Sequence, residues 1–330
     1  MSLADGSGAV DVSVLVPAKD EAENLPEFLR QCAEAFRDTP FRAEVVVVDD
    51  GSTDATPDAL RDLAPRYGFL RVERHRTRLG ITEALRTAAL AARGRVFVFY
   101  PADLQFLPAE IPALVEPILA GEADLVTGAK QGAYDKRFVS GVYNALCRRL
   151  FGVSVTDLNS VKAYRREIAE QVPMRPDWHR YFAVIAGARG FRLAERPVRL
   201  YPRRAGTSKF GIGRIPGGVL DLVSVWFQLR FGRKPLLFFG LLGTLLFVLG
   251  FLVGLAALYV RFVVGVGFRP FLNLIETLVI SGIALFGFGF LGELLAGQRE
   301  ELREMRRVLD QLPAGGLGAG SSESKGRDAP

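Results

Sequence analysis

Cysteine is almost absent from this chain: Cys32 and Cys147 are the only two in 330 residues. Neither stands near a second cysteine or a histidine pair, which excludes a disulfide framework and a thiolate zinc site and fits a reduced compartment. Histidine is as scarce, with two residues, and no Ser-His or Glu-His dyad offers general-base chemistry. The N-terminus, MSLADGSGAVDVSVLVPAKD, lacks a basic segment followed by an apolar run and so does not read as a signal peptide. Acidic charge is the minority: 36 Asp and Glu face 42 Lys and Arg, a net charge of +6. A basic surplus suits an anionic partner. The cations gather beside apolar segments, without stacking aromatics, so lipid headgroup and phosphate are expected rather than nucleic acid.

What the chain has is apolar residues, 49% of the total, unevenly placed. Its length suggests about two domains. Residues 1–10 are small and polar and read as disordered. Val12–Val16, Val45–Val48, Leu70–Val72, Val96–Tyr100 and Asp124–Thr127 read as short buried strands. Helical patterns lie between them at Glu21–Arg37, Thr53–Tyr67 (with Ser52 or Thr53 as N-cap), Ile81–Ala92 and Ile111–Leu119. Such alternation predicts a parallel sheet covered on both faces, with ligands outside the carboxyl ends of the strands. Asp49, Asp50 and Asp103 each follow a strand, so they are expected to converge on one edge.

Beyond Lys130 the pattern turns basic and helical. Phe138–Phe151 and Tyr181–Ala188 read as helices, Val161–Tyr164 and Val198–Tyr201 as strands. Residues 213–234 mix Trp226, Phe227, Leu229 and Phe231 with Arg214, Arg230, Arg233 and Lys234, as an interfacial helix does. Pro235–Val260 carries no charge and exceeds the roughly 20 residues that cross a bilayer core. Pro270–Ala296 is a second candidate span, interrupted by Glu276 and Glu293. Arg230, Arg233 and Lys234 precede the first span and Arg299, Arg303, Arg306 and Arg307 follow the second, while the loop between holds Arg261 and Arg269. That bias predicts both termini and the soluble part on the cytoplasmic side. Glu276 is expected at the far interface. Gln298–Leu312 reads as a charged helix extending the second span and able to self-associate, before a Gly/Ser-rich tail.

Asp103 and Gln105, in YPADLQF, form an oxygen pair two residues apart on a turn after a buried strand, suited to a divalent cation or to capping the next helix. VSVLVPAKDEAENL, VVVVDDGSTD, PADLQFLPAEI and RRAGTSKFG follow one another in order. Together they resemble family 2 glycosyltransferases of the GT-A fold, in the branch of dolichol-phosphate mannose synthases and undecaprenyl-phosphate sugar transferases. The resemblance covers residues 11–212, and the paired spans extend it.

It implies a Rossmann-like, mostly parallel sheet sandwiched by helices, then an interfacial helix and two transmembrane helices. The divisions are 1–10 disordered, 11–212 catalytic, 213–234 juxtamembrane, 235–296 hairpin and 297–330 cytoplasmic tail. Pro17, Glu21, Asp49, Asp50 and Asp103 would bind the nucleotide-sugar donor, and Asp103 with Gln105 would hold Mg²⁺ or Mn²⁺. Lys130 (where the family usually has Arg), Arg137, Arg204, Ser208 and Lys209 would hold the phosphate of a polyprenyl-phosphate acceptor. Asp103, Arg204 and Lys209 would carry the reaction, with inversion. Asp157 would orient the acceptor loop, and His179–Arg180 resembles a His-Arg pair of the branch. Pro101 stands where the family has the first Asp of Asp-Ala-Asp, removing one carboxylate, and Asp20 stands where Asn is common. A processive polysaccharide synthase would need more spans and a Gln-x-x-Arg-Trp-like motif, which is not found. A non-catalytic sugar-nucleotide scaffold and a homo-oligomer remain open.

Overall fold

The computed structural model describes residues 9–131, 145, 147–152, 155–172, 175, 178–202, 215–265 and 269–311. They form two compact units, Met1–Trp226 and Phe227–Pro330.

The first unit is built on a seven-stranded sheet. Its strands are β1 (Val12–Ala18), β2 (Ala43–Asp50), β3 (Leu70–His75), β4 (Val96–Phe99), β5 (Leu125–Gln131), β6 (Lys162–Arg165) and β7 (Leu193–Arg199), in the order β3-β2-β1-β4-β6-β5-β7. β6 is antiparallel to both neighbours, and the other six strands run one way. The carboxyl ends of those six strands therefore share one edge, and β6 begins there.

The apolar run VVVV follows from burial on both faces. Val45 and Val47 enter a core with helices α1 (Leu25–Ala35), α2 (Thr56–Leu63) and α4 (Ile111–Leu119). Val46 and Val48 enter a second core with α3 (Ile81–Ala91), α5 (Arg166–Gln171) and α6 (Phe182–Ala188). α1, α2 and α4 begin with a proline in the first turn and no side-chain cap. Proline is preset for that position, where its missing N–H costs nothing. The helix expected from Thr53 thus starts at Thr56, and Ser52 accepts from Asp20 N instead of capping it. The last strand starts earlier than expected, at Leu193, because it pairs along the whole of β5.

Helix α7 (Ile215–Phe231) does more than lie at an interface. Leu222 and Val225 are buried in the second core, and the Tyr181 hydroxyl donates to the Gly218 carbonyl at 3.2 Å. Val219, Leu220 and Val223 are exposed.

The second unit is a helical hairpin of α8 (Pro235–Tyr259), continued by a π-turn over Val260–Val264, and α9 (Arg269–Gln311). It contains candidate membrane spans of 30 and 34 residues, Pro235–Val264 and Arg269–Leu302. Most of their side chains are exposed, so this is not the buried hairpin of a soluble core. The helices pack through glycine: a Cβ on Gly243 would lie 2.6 Å from the Gly282 carbonyl oxygen, and one on Gly282 2.7 Å from that of Gly243. Glu293 accepts from Leu236 N at 3.2 Å, which accounts for one carboxylate in the second span: it serves an N–H that the first turn of α8 leaves without a partner. Glu276 is exposed in the second turn of α9. The charged continuation expected after Gln298 is the same helix, 43 residues or about 65 Å long.

Candidate active site

The carboxyl edge of the sheet begins with two loops stitched together. Asp20, after β1, adopts φ 54°, a left-handed conformation that Asp and Asn tolerate through their short polar side chains. This explains why an Asp substitutes for Asn here. Its Oδ1 accepts from Thr53 N at 2.9 Å and from Lys19 Nζ at 2.8 Å, and its own N–H donates to Ser52 Oγ at 2.9 Å. Glu21 N donates to Thr56 Oγ1 at 2.8 Å, and Glu21 Oε2 accepts from Asn24 Nδ2 at 2.7 Å. Pro17 lies in β1 opposite Val48 of β2.

Asp49 and Asp50 end β2 and have different tasks. Asp49 is buried, accepts from Ser52 N at 2.8 Å and pairs with Arg74 Nε at 3.2 Å. Asp50 accepts from His75 Nδ1 (2.8 Å), Leu79 N (2.7 Å) and Gly80 N (2.8 Å). Burial pushes the Asp50 carboxyl up; the His75 ring and the two backbone N–H groups outweigh it, so Asp50 titrates below the ordinary carboxylate range. The other ring nitrogen of His75 lies 2.9 Å from Thr87 Oγ1. Gly51, next after Asp50, takes φ +65°, and a Cβ there would come within 2.6 Å of the Thr77 carbonyl carbon. The Asp50 turn is thus packed on the loop that follows β3. His75 was missed from sequence, although it ends a parallel strand at the same edge as the aspartates.

Asp103 sits on the turn after β4. Tyr100 N extends the ladder to the Leu15 carbonyl (3.1 Å), and the Tyr100 hydroxyl closes the turn on the Leu107 carbonyl (2.8 Å). Leu104 has φ 56°, and Asp103 Oδ1 accepts from Gln105 N at 3.2 Å. Asp103 is 8% exposed. Among the described residues no three His, Cys, Asp or Glu side chains gather as a cation cage. That agrees with the loss of a carboxylate at Pro101. It still fits Mg²⁺ or Mn²⁺, which commonly take one or two carboxylates and fill the remaining positions with substrate phosphate and water.

The Gln105 carbonyl accepts from Tyr201 N at 2.8 Å, and Leu200 N donates to the Gln131 carbonyl at 3.2 Å. β5 and β7 run parallel, with Gln131 opposite Arg199. The chain therefore leaves both strands at the edge that holds Asp103. Lys130, at the end of β5, pairs with Asp157 at 3.2 Å and donates to the Asn159 carbonyl at 2.7 Å. Glu195 of β7 accepts from Thr156 N and Oγ1, Asp157 N and Thr127 Oγ1. His179 is buried; burial first, then Lys162 and Arg180, lower its pKa to about 3, so the ring is neutral. Arg137, Arg204, Ser208 and Lys209 lie outside the described residues, as does most of the helix expected at Phe138–Phe151. Glu195 carries no signal of this role in the sequence, because the strand expected there begins only at Val198.

Residues 13–172 match the model of glycosyl transferase family 2. A dodecaprenyl-phosphate galacturonate synthase of Rhizobium johnstonii is 34% identical over 298 residues, 87% of this chain and 88% of the relative. An undecaprenyl-phosphate 4-deoxy-4-formamido-L-arabinose transferase of Pseudomonas fluorescens is 29% identical over 92% of this chain and 91% of the relative. Among solved structures, glucosyl-3-phosphoglycerate synthase from Mycobacterium tuberculosis, crystallised with Mn²⁺, UDP-glucose and phosphoglyceric acid, superposes with a TM-score of 0.54. It is 21% identical and covers 70% of this chain and 84% of its own, a likeness of fold.

Proposed function

The chain belongs to glycosyltransferase family 2, and from that premise we propose that it transfers a sugar from a nucleotide-sugar to a polyprenyl phosphate at the cytoplasmic face of a membrane. The observation that carries the reading is the bond from Tyr201 N to the Gln105 carbonyl. It ties the acidic turn of Asp103 to the end of β7, from which Arg204, Ser208 and Lys209 follow within ten residues. Lys130 is the next-to-last residue of the neighbouring strand β5, and Arg137 follows that strand within six residues. An acidic rim for a donor diphosphate thus adjoins segments rich in cations. The names of both polyprenyl-phosphate relatives, which match most of this chain, support a lipid acceptor. The two long apolar helices, with basic residues before the first and after the second, support membrane anchoring with a cytoplasmic active site.

Pro17, Glu21, Asp49 and Asp50 surround the nucleoside of the donor, Asp49 and Asp50 chiefly by fixing the loops that form its walls. Lys130, Arg137, Arg204, Ser208 and Lys209 hold the acceptor phosphate. That phosphate is anionic near neutral pH and needs no general base, which fits a chain with two histidines. Its oxygen bonds to the anomeric carbon as the bond from that carbon to the diphosphate oxygen breaks. The nucleoside diphosphate departs and the configuration inverts. Catalysis is positioning and charge. Mg²⁺ or Mn²⁺, held by Asp103 and Gln105, would supply positive charge to the departing diphosphate.

The test is transfer of radiolabel from a panel of nucleotide-sugars, including a nucleotide-linked uronic acid, into undecaprenyl phosphate recovered in organic solvent. A labelled lipid with one donor is expected. No labelled lipid with any donor would favour the non-catalytic binder. Arg204→Ala should raise the acceptor KM by about tenfold with donor affinity, measured by calorimetry, held; equal loss of both would overturn the acceptor assignment.

A further inference from the structure

The loop Thr156–Ser160 is held by charged side chains from three adjacent strands. Glu195 of β7 takes the N–H groups of Thr156 and Asp157, Lys130 of β5 takes the Asn159 carbonyl, and Lys162 of β6 takes the Ser160 carbonyl at 2.8 Å. The first two attachments explain the loop. Lys162 is the odd one. Its side chain is 2% exposed, inside a core with Phe97, Tyr164 and Phe182 on the same face of the sheet.

Lysine is rarely buried without a counter-ion, and removing an ammonium from water costs several kcal/mol. A Leu or Met would fill this space without that cost. Yet among the described residues the Lys162 ammonium makes one hydrogen bond, to Ser160, and stands 5.8 Å from the Phe99 ring. Burial lowers its pKa to about 7, opposed by Asp157 and assisted by Lys130. Lys162 therefore lies within electrostatic reach of an ion pair whose cation has another task. Lys162 also helps to lower the pKa of His179, whose ring is neutral and brings no charge.

We propose that Lys162 is a positioning residue for the acceptor phosphate, standing as the reserve counter-ion of Asp157 and taking over that carboxylate when a phosphate engages Lys130. Asp157, in the loop that leads into β6, lies within electrostatic reach of Lys162, which is bonded to Ser160 of the same loop. In this structure Asp157 pairs with Lys130. When a doubly negative phosphate arrives at Lys130, Asp157 becomes a like charge beside it, a repulsion that Lys162 cancels from within the core. No covalent step is involved. The inference rests on the assignment of Lys130 to the acceptor phosphate.

The experiment titrates farnesyl phosphate, a short prenyl phosphate, into the full chain in detergent by calorimetry, without donor. Lys130→Ala should weaken binding and establishes the site. Lys162→Met should weaken it roughly tenfold or more. Lys162→Gln, which keeps an N–H for the Ser160 carbonyl but no charge, should be as defective. Adding Asp157→Asn to either Lys162 variant should restore affinity to within about threefold of the wild type, since no carboxylate then needs a counter-ion. The inference is overturned if Lys130→Ala weakens binding while Lys162→Met does not. Recovery in Lys162→Gln alone, or a double variant no better than the single one, would reduce Lys162 to a structural prop and overturn it too. If Lys130→Ala leaves binding intact, the acceptor assignment itself fails and the inference with it. Thermal unfolding qualifies each variant, and Lys162→Gln carries the comparison should Lys162→Met not fold.

Discussion

On the β1–β4 side of the sheet edge, carboxylates accept from backbone N–H groups: Asp20 from Thr53, Asp49 from Ser52, Asp50 from Leu79 and Gly80. On the β5–β7 side, Lys130, Lys162 and Glu195 reach from three strands to grip one loop. The first side is a set of main-chain turns locked by short acids; the second is held by long, charged side chains. Short side chains bonded to their own or neighbouring turns lose little freedom and give a preset wall, as a nucleotide pocket requires. Long cations keep their charge available to an incoming anion, as a phosphate site requires.

The strongest way to break this comparison is at the turn that serves both sides. Asp103→Ala should lower turnover by roughly 10²- to 10³-fold with its thermal midpoint kept, as measured by steady-state transfer and calorimetry. Full turnover with divalent cation present would remove Asp103 from the site. Asp50→Ala is next. It leaves two backbone N–H groups and a half-buried imidazole without their acceptor, and should cost about 2–4 kcal/mol in denaturant unfolding, along with donor affinity. A loss below about 0.5 kcal/mol would mean that the β1–β4 wall is not preset by these bonds.

The β5–β7 side is sharpened by acid. Between pH 6.5 and about 3 the unfolded chain protonates His179 while the folded chain does not. Stability therefore falls as pH falls through that window, by roughly 2 kcal/mol at pH 5. His179→Asn should flatten the unfolding midpoint between pH 7 and pH 5; an equally steep slope would assign the acid sensitivity elsewhere. The smallest effect sets the baseline. Glu27→Ala, on the exposed face of α1 where Arg30 pairs with Glu27 at 2.6 Å, should cost no more than about 0.5 kcal/mol.

Much of this was legible in the sequence, for a physical reason. Buried strands between amphipathic helices leave a strong periodic trace, and acids immediately after such strands fall on one edge whatever the loops do. Two kinds of feature left no trace. The reversal of β6 depends on the order in which strands meet, and KAYR reads the same in either direction. The roles of Asp49 and Asp50 depend on which N–H groups fold back upon them, and these come from as far away as Gly80. Lys162 looks like solvated surface, one lysine in a basic stretch, until its strand is found inside the sheet between β4 and β5.

The bond between Tyr201 and Gln105 joins main chain to main chain. No side-chain replacement at either position deletes its donor or acceptor, proline at 201 excepted. On the proposed reading, sugar preference can drift through surrounding loops over evolutionary time while the spacing between the Asp103 turn and the end of β7 is inherited unchanged. An engineer recasting this scaffold for another sugar can vary its pocket freely and should leave that one rivet alone.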